Sequence, residues 1–82
     1  MEEKKTIQKA PNLADNSLLI VDDDGPLRER LSRAMEKKGF KVFQADSVKQ
    51  GITQAQNSPP AFAVVDLRLQ DGNGLTVVKE IQ

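Results

Sequence analysis

Apolar positions along the chain fall into six clusters whose spacing alternates between two kinds. Leu18-Leu19-Ile20-Val21 and Ala61-Phe62-Ala63-Val64-Val65 are unbroken apolar runs of strand length, the pattern of strands buried on both faces. Between and after them the apolar residues are spaced as on one face of a helix: Leu27, Leu31, Ala34 and Met35, then Val48, Ile52 and Ala55, then Leu75, Val77, Val78 and Ile81. Phe40 to Ala45 is shorter and mixed, with Lys41 and Gln44 among Val42 and Ala45, which suits an edge strand. The predicted order is β-α-β-α-β-α. Right-handed crossovers make such a sheet parallel, with the first of these strands in the middle and an order of 2-1-3. The fold class is therefore α/β.

Punctuation along the chain supports these elements. Pro26 follows Gly25 at the first turn of the first helix, where a missing N–H costs nothing, and Gly39 stands at its far end after a cationic last turn. Ser47-Val48-Lys49-Gln50 has the form of a capping box for the second helix, and Gly51 weakens that helix by about 1 kcal/mol relative to alanine. Asn57-Ser58-Pro59-Pro60 ends it. Residues 1–16 are polar and interrupted by Pro11, with Ile7 and Leu13 isolated, and read as a mostly disordered tail. Residues 17–82 form the ordered unit. The third helix reaches Gln82 without a C-cap signal, so the domain reads as truncated within it.

Composition narrows the picture only slightly. Twelve basic and twelve acidic residues cancel, which gives no global charge for nucleic acid or membrane. The basic residues Arg28, Arg30, Arg33, Lys37 and Lys38 share a helix with acids and read as a solvated face. There is no cysteine, hence no disulfide framework and no thiolate metal site. No apolar run approaches the roughly 20 residues needed to span a bilayer, and no apolar h-region follows the charged start. A soluble, cytoplasmic chain is expected.

The candidate chemistry lies where the two buried runs stop. The first ends in Asp22-Asp23-Asp24 and the second in Asp66. Ligands of parallel α/β sheets gather at the carboxyl ends of the strands, so adjacent strands would bring these acids into one pocket. Carboxylates so close repel one another, and a divalent cation relieves the repulsion. Oxygen donors without His or Cys suit a hard ion such as Mg²⁺. Asp46 and Asp71, by contrast, read as solvated loop residues, and Asp71-Gly72 and Asn73-Gly74 as turn chemistry.

Leu-Leu-Ile-Val-Asp-Asp-Asp followed by a helix, and Ala-Val-Val-Asp-Leu-Arg-Leu-Gln-Asp-Gly-Asn-Gly-Leu further on, resemble the receiver domain of two-component response regulators. Within that family they are most similar to the RegA/PrrA/ActR group of redox-responsive transcriptional regulators. The resemblance covers residues 17–82. It implies a truncated flavodoxin-like fold, and a signalling phosphoacceptor rather than an enzyme. By the same resemblance Asp66 would accept a phosphoryl group from a sensor histidine kinase. Asp22, Asp23, Asp66 and the backbone carbonyl of Arg68 would hold Mg²⁺, and Asp24 would be no ligand. Gln70 stands where receivers often carry proline. The fourth and fifth strands of a receiver, with their Ser/Thr and Lys, are absent, as is the C-terminal DNA-binding domain that would carry the output. A chain so cut would expose the 61–65 strand as an open apolar edge, and self-association through it is expected.

Two other readings share some of these residues. Asp22-Asp23-Asp24-Gly25 also fits the start of a haloacid-dehalogenase-type phosphatase, with Asp22 as nucleophile and Asp24 as acid/base. Pro26 opens the helix at once, however, and leaves no room for that family's flap. The other reading is a receiver-like fragment that binds a partner without being phosphorylated.

Overall fold

A computed structural model describes residues 5–9, as backbone, and residues 15–82. The two apolar runs and the mixed segment form β2 (Ser17–Val21), β3 (Lys41–Ala45) and β4 (Phe62–Asp66). β2 pairs in parallel with both neighbours, Leu19 lying opposite Phe43 on one side and Ala63 on the other. The order β3-β2-β4 is the expected 2-1-3. Leu18, Leu19, Ile20 and Val21 are all buried, as a central strand covered on both faces requires.

The helices α1 (Gly25–Lys37), α2 (Val48–Asn57) and α3 (Leu75–Ile81) follow the predicted clusters. α2 and α3 pack together on one face, over a core that includes Leu19, Val21, Ala63, Val65, Val77 and Val78. Gly51 is buried there. A Cβ at that position would meet Val77 at 3.1 Å and Val21 at 3.3 Å, so the glycine lets α2 lie close. α1 packs against β2 and β3 with Leu27, Leu31 and Met35 half-buried. Two members of the predicted stripes stay in solvent: Ala34 on α1 and Leu75 on α3. The buried residue on α1 is instead Ser32, whose hydroxyl donates to the Arg28 carbonyl at 2.8 Å.

The amino-terminal segment departs from expectation. Lys5–Lys9 forms a strand, β1, antiparallel to β4, with Lys5 opposite Asp66, Ile7 opposite Val64 and Lys9 opposite Phe62. The sheet is thus four-stranded, in the order β1-β4-β2-β3. Two readings are corrected by this. Residues 5–9 are a strand and not a disordered tail, and the 61–65 edge is paired within the chain rather than exposed. The physical reason is that an edge strand needs backbone partners more than it needs a hydrophobic sequence, and β4 offers a row of unpaired N–H and C=O groups. Asn16 is also fixed, its amide donating to the Gly39 carbonyl and its carbonyl accepting from Lys41 N–H. Leu13 and the rest of residues 1–4 and 10–14 lie outside the described residues.

Candidate functional site

β2 and β4 are neighbours and run the same way, so their carboxyl ends lie side by side. Asp22, immediately after β2, and Asp66, the last residue of β4, are both buried, while Asp23 is half-buried. One carboxylate oxygen from each of Asp22, Asp23 and Asp66 lies within 4.8 Å of the other two. Asp24 is not in this group. Its carboxylate accepts from Leu27 N–H at 3.0 Å and serves as the N-cap of α1, with Pro26 in the first turn. The phosphatase reading needs the Asp24 carboxylate beside that of Asp22, whereas the cluster among the described residues is Asp22, Asp23 and Asp66.

Backbone groups fix the three clustered acids. Asp22 accepts from Asp24 N–H at 2.9 Å, Asp66 from Arg68 N–H at 3.0 Å, and Asp23 from Gln70 N–H at 3.2 Å. Arg28 donates to the Asp22 carbonyl at 2.7 Å and to the Gln44 side chain at 2.9 Å. Arg28 is therefore a brace behind the site and not part of a solvated basic face, whereas Arg30, Arg33, Lys37 and Lys38 are exposed as expected.

The loop after Asp66 is a small hairpin, β5 (Arg68–Leu69) paired with β6 (Gly72–Asn73). Gly72 turns it with φ +149°, a conformation that favours glycine. Asn73 accepts from Leu75 N–H at 2.9 Å, closing a turn just before α3, so the turn reading of this residue holds. Gly74 serves another purpose. Its φ of −60° is open to any residue, but a Cβ there would overlap the Asp66 carbonyl oxygen and come within 2.8 Å of the Val65 side chain. Gly74→Ala is expected to cost roughly 3 kcal/mol, the scale of overpacking, read as a lower urea midpoint. It should also shift the Asp66 amide resonance.

Asp71 corrects a sequence reading. Although exposed, it accepts from Val48 N–H at 2.8 Å and Lys49 N–H at 3.1 Å, at the start of α2. Those two donors hold its carboxyl below the ordinary carboxylate range. Its contribution to stability is therefore complete above about pH 5, where the unfolded carboxyl is almost fully ionised, and is lost as pH falls through the unfolded and then the lowered folded value. Melting curves of the protein and of Asp71→Asn, taken from neutral to strongly acidic pH, should differ by a constant amount at the top of that range and converge at the bottom. No sequence signal marks this tie, because its partners lie 23 and 22 positions away.

Three parallel strands between helices, with an acid trio at the strand ends, define a class, and the chain belongs to it: the response regulator receiver domain family, whose sequence model matches residues 18–82. It is 59% identical over 69 residues to the photosynthetic apparatus regulatory protein RegA of Cereibacter sphaeroides, covering 84% of this chain and 38% of that protein. It is 56% identical over 68 residues to the acid tolerance regulatory protein ActR of Rhizobium meliloti, covering 83% and 35%. It is 32% identical over 66 residues to the KDP operon transcriptional regulatory protein KdpE of Escherichia coli, covering 80% and 29%. The chain thus spans less than two-fifths of these relatives' length. No solved structure matches it. Among the described residues no helix is long and apolar enough to cross a membrane.

Proposed function

We propose that the chain is the phosphoacceptor portion of a two-component response regulator, with Asp66 as acceptor and Asp22, Asp23, Asp66 and the Arg68 carbonyl as Mg²⁺ ligands. The observation that carries this reading is the convergence of three carboxylate oxygens, from two adjacent parallel strand ends, within 4.8 Å. The donors are all oxygen, which fits a hard cation that keeps several waters. When bound, the ion offsets negative charge on the carboxylates and on the incoming phosphoryl group.

The chain's own residues do the rest. Arg68 N–H, on one Asp66 oxygen, sets the rotation of the carboxylate. A carboxylate oxygen then attacks the phosphorus of a phosphorylated imidazole on the sensor kinase. The O–P bond forms as the P–N bond breaks, and the electron pair returns to the imidazole nitrogen, which takes up a proton. The product is an acyl phosphate on Asp66. Coupled to a C-terminal DNA-binding domain, this event would control DNA binding, in the cytoplasm, where a kinase and DNA are both within reach.

The test is incubation with acetyl phosphate, with and without Mg²⁺, followed by intact-mass measurement. A single added phosphoryl group that requires Mg²⁺ and is released by hydroxylamine is expected. Absence of the adduct, or its persistence when EDTA is present from the start, would contradict the reading.

A further inference from the structure

The hairpin after Asp66 touches the acid trio at one end and α2 at the other. Arg68 N–H and Gln70 N–H donate to Asp66 and Asp23, while the next residue, Asp71, accepts from the first two amides of α2. The 2.8 and 3.1 Å bonds from Val48 and Lys49 are its long-range side-chain anchors among the described residues. α2 is seated in turn by buried Gly51 and Ala55 against the core. Asp71 thus stands between a fixed helix and the peptide units that face the candidate cation site.

Building on the function proposed above, we propose that Asp71 is a positioning residue for the Mg²⁺ site: its bonds to the α2 N-terminus hold the 68–71 backbone where the Arg68 carbonyl and Gln70 N–H can serve the acid trio. Its side-chain hydrogen bonds run to Val48 and Lys49. Its role is carried through the backbone alone, much as outer-shell partners orient ligands in other metal sites. Its lowered ionisation is consistent with the same two bonds.

The helix has another cap that provides a control. Ser47 accepts from Gln50 N–H at 3.1 Å, and the Gln50 side chain reaches back to Asp46 N–H at 2.8 Å. Ser47→Ala removes a cap from the same helix end without touching the hairpin, at a cost of about 1 kcal/mol. A merely structural role for Asp71 would make the two variants alike.

The chain has no Trp or Tyr, so Mg²⁺ binding is best followed by the amide resonances of Asp22, Asp23, Asp66 and Arg68 in titrations with Mg²⁺ alone. Asp71→Ala should weaken Mg²⁺ about tenfold, Asp71→Asn by less because one acceptor oxygen remains, and Ser47→Ala should leave affinity at the wild-type value. Equal affinity in Asp71→Ala and wild type would overturn the inference while leaving the proposed function standing. So would equal weakening in Asp71→Ala and Ser47→Ala, which would mark helix fraying as the cause. A wild-type protein whose resonances ignore Mg²⁺ would remove the functional reading, and this inference with it.

Discussion

Asp66→Asn should reduce phosphoryl incorporation from acetyl phosphate by at least about a thousandfold, the scale of losing a nucleophile, without unfolding the chain. An amide has nearly the same shape as the carboxylate and still accepts the Arg68 N–H. Its neutral oxygen is a poor nucleophile, however, and it offers a cation less. The substitution also removes one of three negative groups packed within 4.8 Å of one another, so thermal stability should hold or rise. Asp24→Ala makes the opposite comparison. It deletes the N-cap of α1 at a cost of about 1 kcal/mol and should leave incorporation intact. Intact-mass measurement and thermal melts on the same two samples separate the roles. Full incorporation in Asp66→Asn would move the acceptor elsewhere, and loss of incorporation in a folded Asp24→Ala would return Asp24 to the chemistry.

Deleting residues 1–9 should be the most damaging change outside the site. It strips β1 from β4 along the whole register from Lys5–Asp66 to Lys9–Phe62. A net contribution near 1 kcal/mol per backbone hydrogen bond puts the loss at roughly 2–4 kcal/mol, a large share of the stability of a domain this small. The uncovered β4 carries Ala63 and Val65 in the core with half-buried Phe62 and Val64 on the other face, and such an edge invites pairing with a second chain. Light scattering should show a monomer for the intact chain and concentration-dependent association for the deletion. A deletion that stays monomeric and melts at the same temperature would mean that β1 adds nothing to the sheet.

The parts of this molecule legible in the sequence are those written in local pattern. Two continuous apolar runs and three helical spacings set the element order, and acids at both strand ends pointed to the pocket. Capping at Ser47 and the turn at Asn73 could be read because their partners lie within three residues. What local pattern does not carry depends on residues far apart in sequence. β1 has one apolar side chain in a polar segment, and only the edge of β4, some 57 residues on by register, makes it a strand. Asp71 looks like any loop aspartate until α2 is placed beside it. Arg28 looked like surface charge until the helix turned it towards the Asp22 carbonyl. Gly74 read as a turn residue, yet what it relieves is a close approach to the carbonyl of Asp66.

Whether the strand-end acids form one Mg²⁺-dependent phosphoryl site is decided by a two-step titration of the chain followed by amide NMR, first with Mg²⁺ and then with beryllofluoride as a stand-in for the phosphoryl group. Saturable Mg²⁺ shifts are expected at Asp22, Asp23, Asp66 and Arg68, with a second, larger set around Asp66 that appears only when Mg²⁺ is present. Shifts scattered over exposed acids such as Glu29, Glu36 and Glu80, with the strand-end trio unmoved, would contradict such a site.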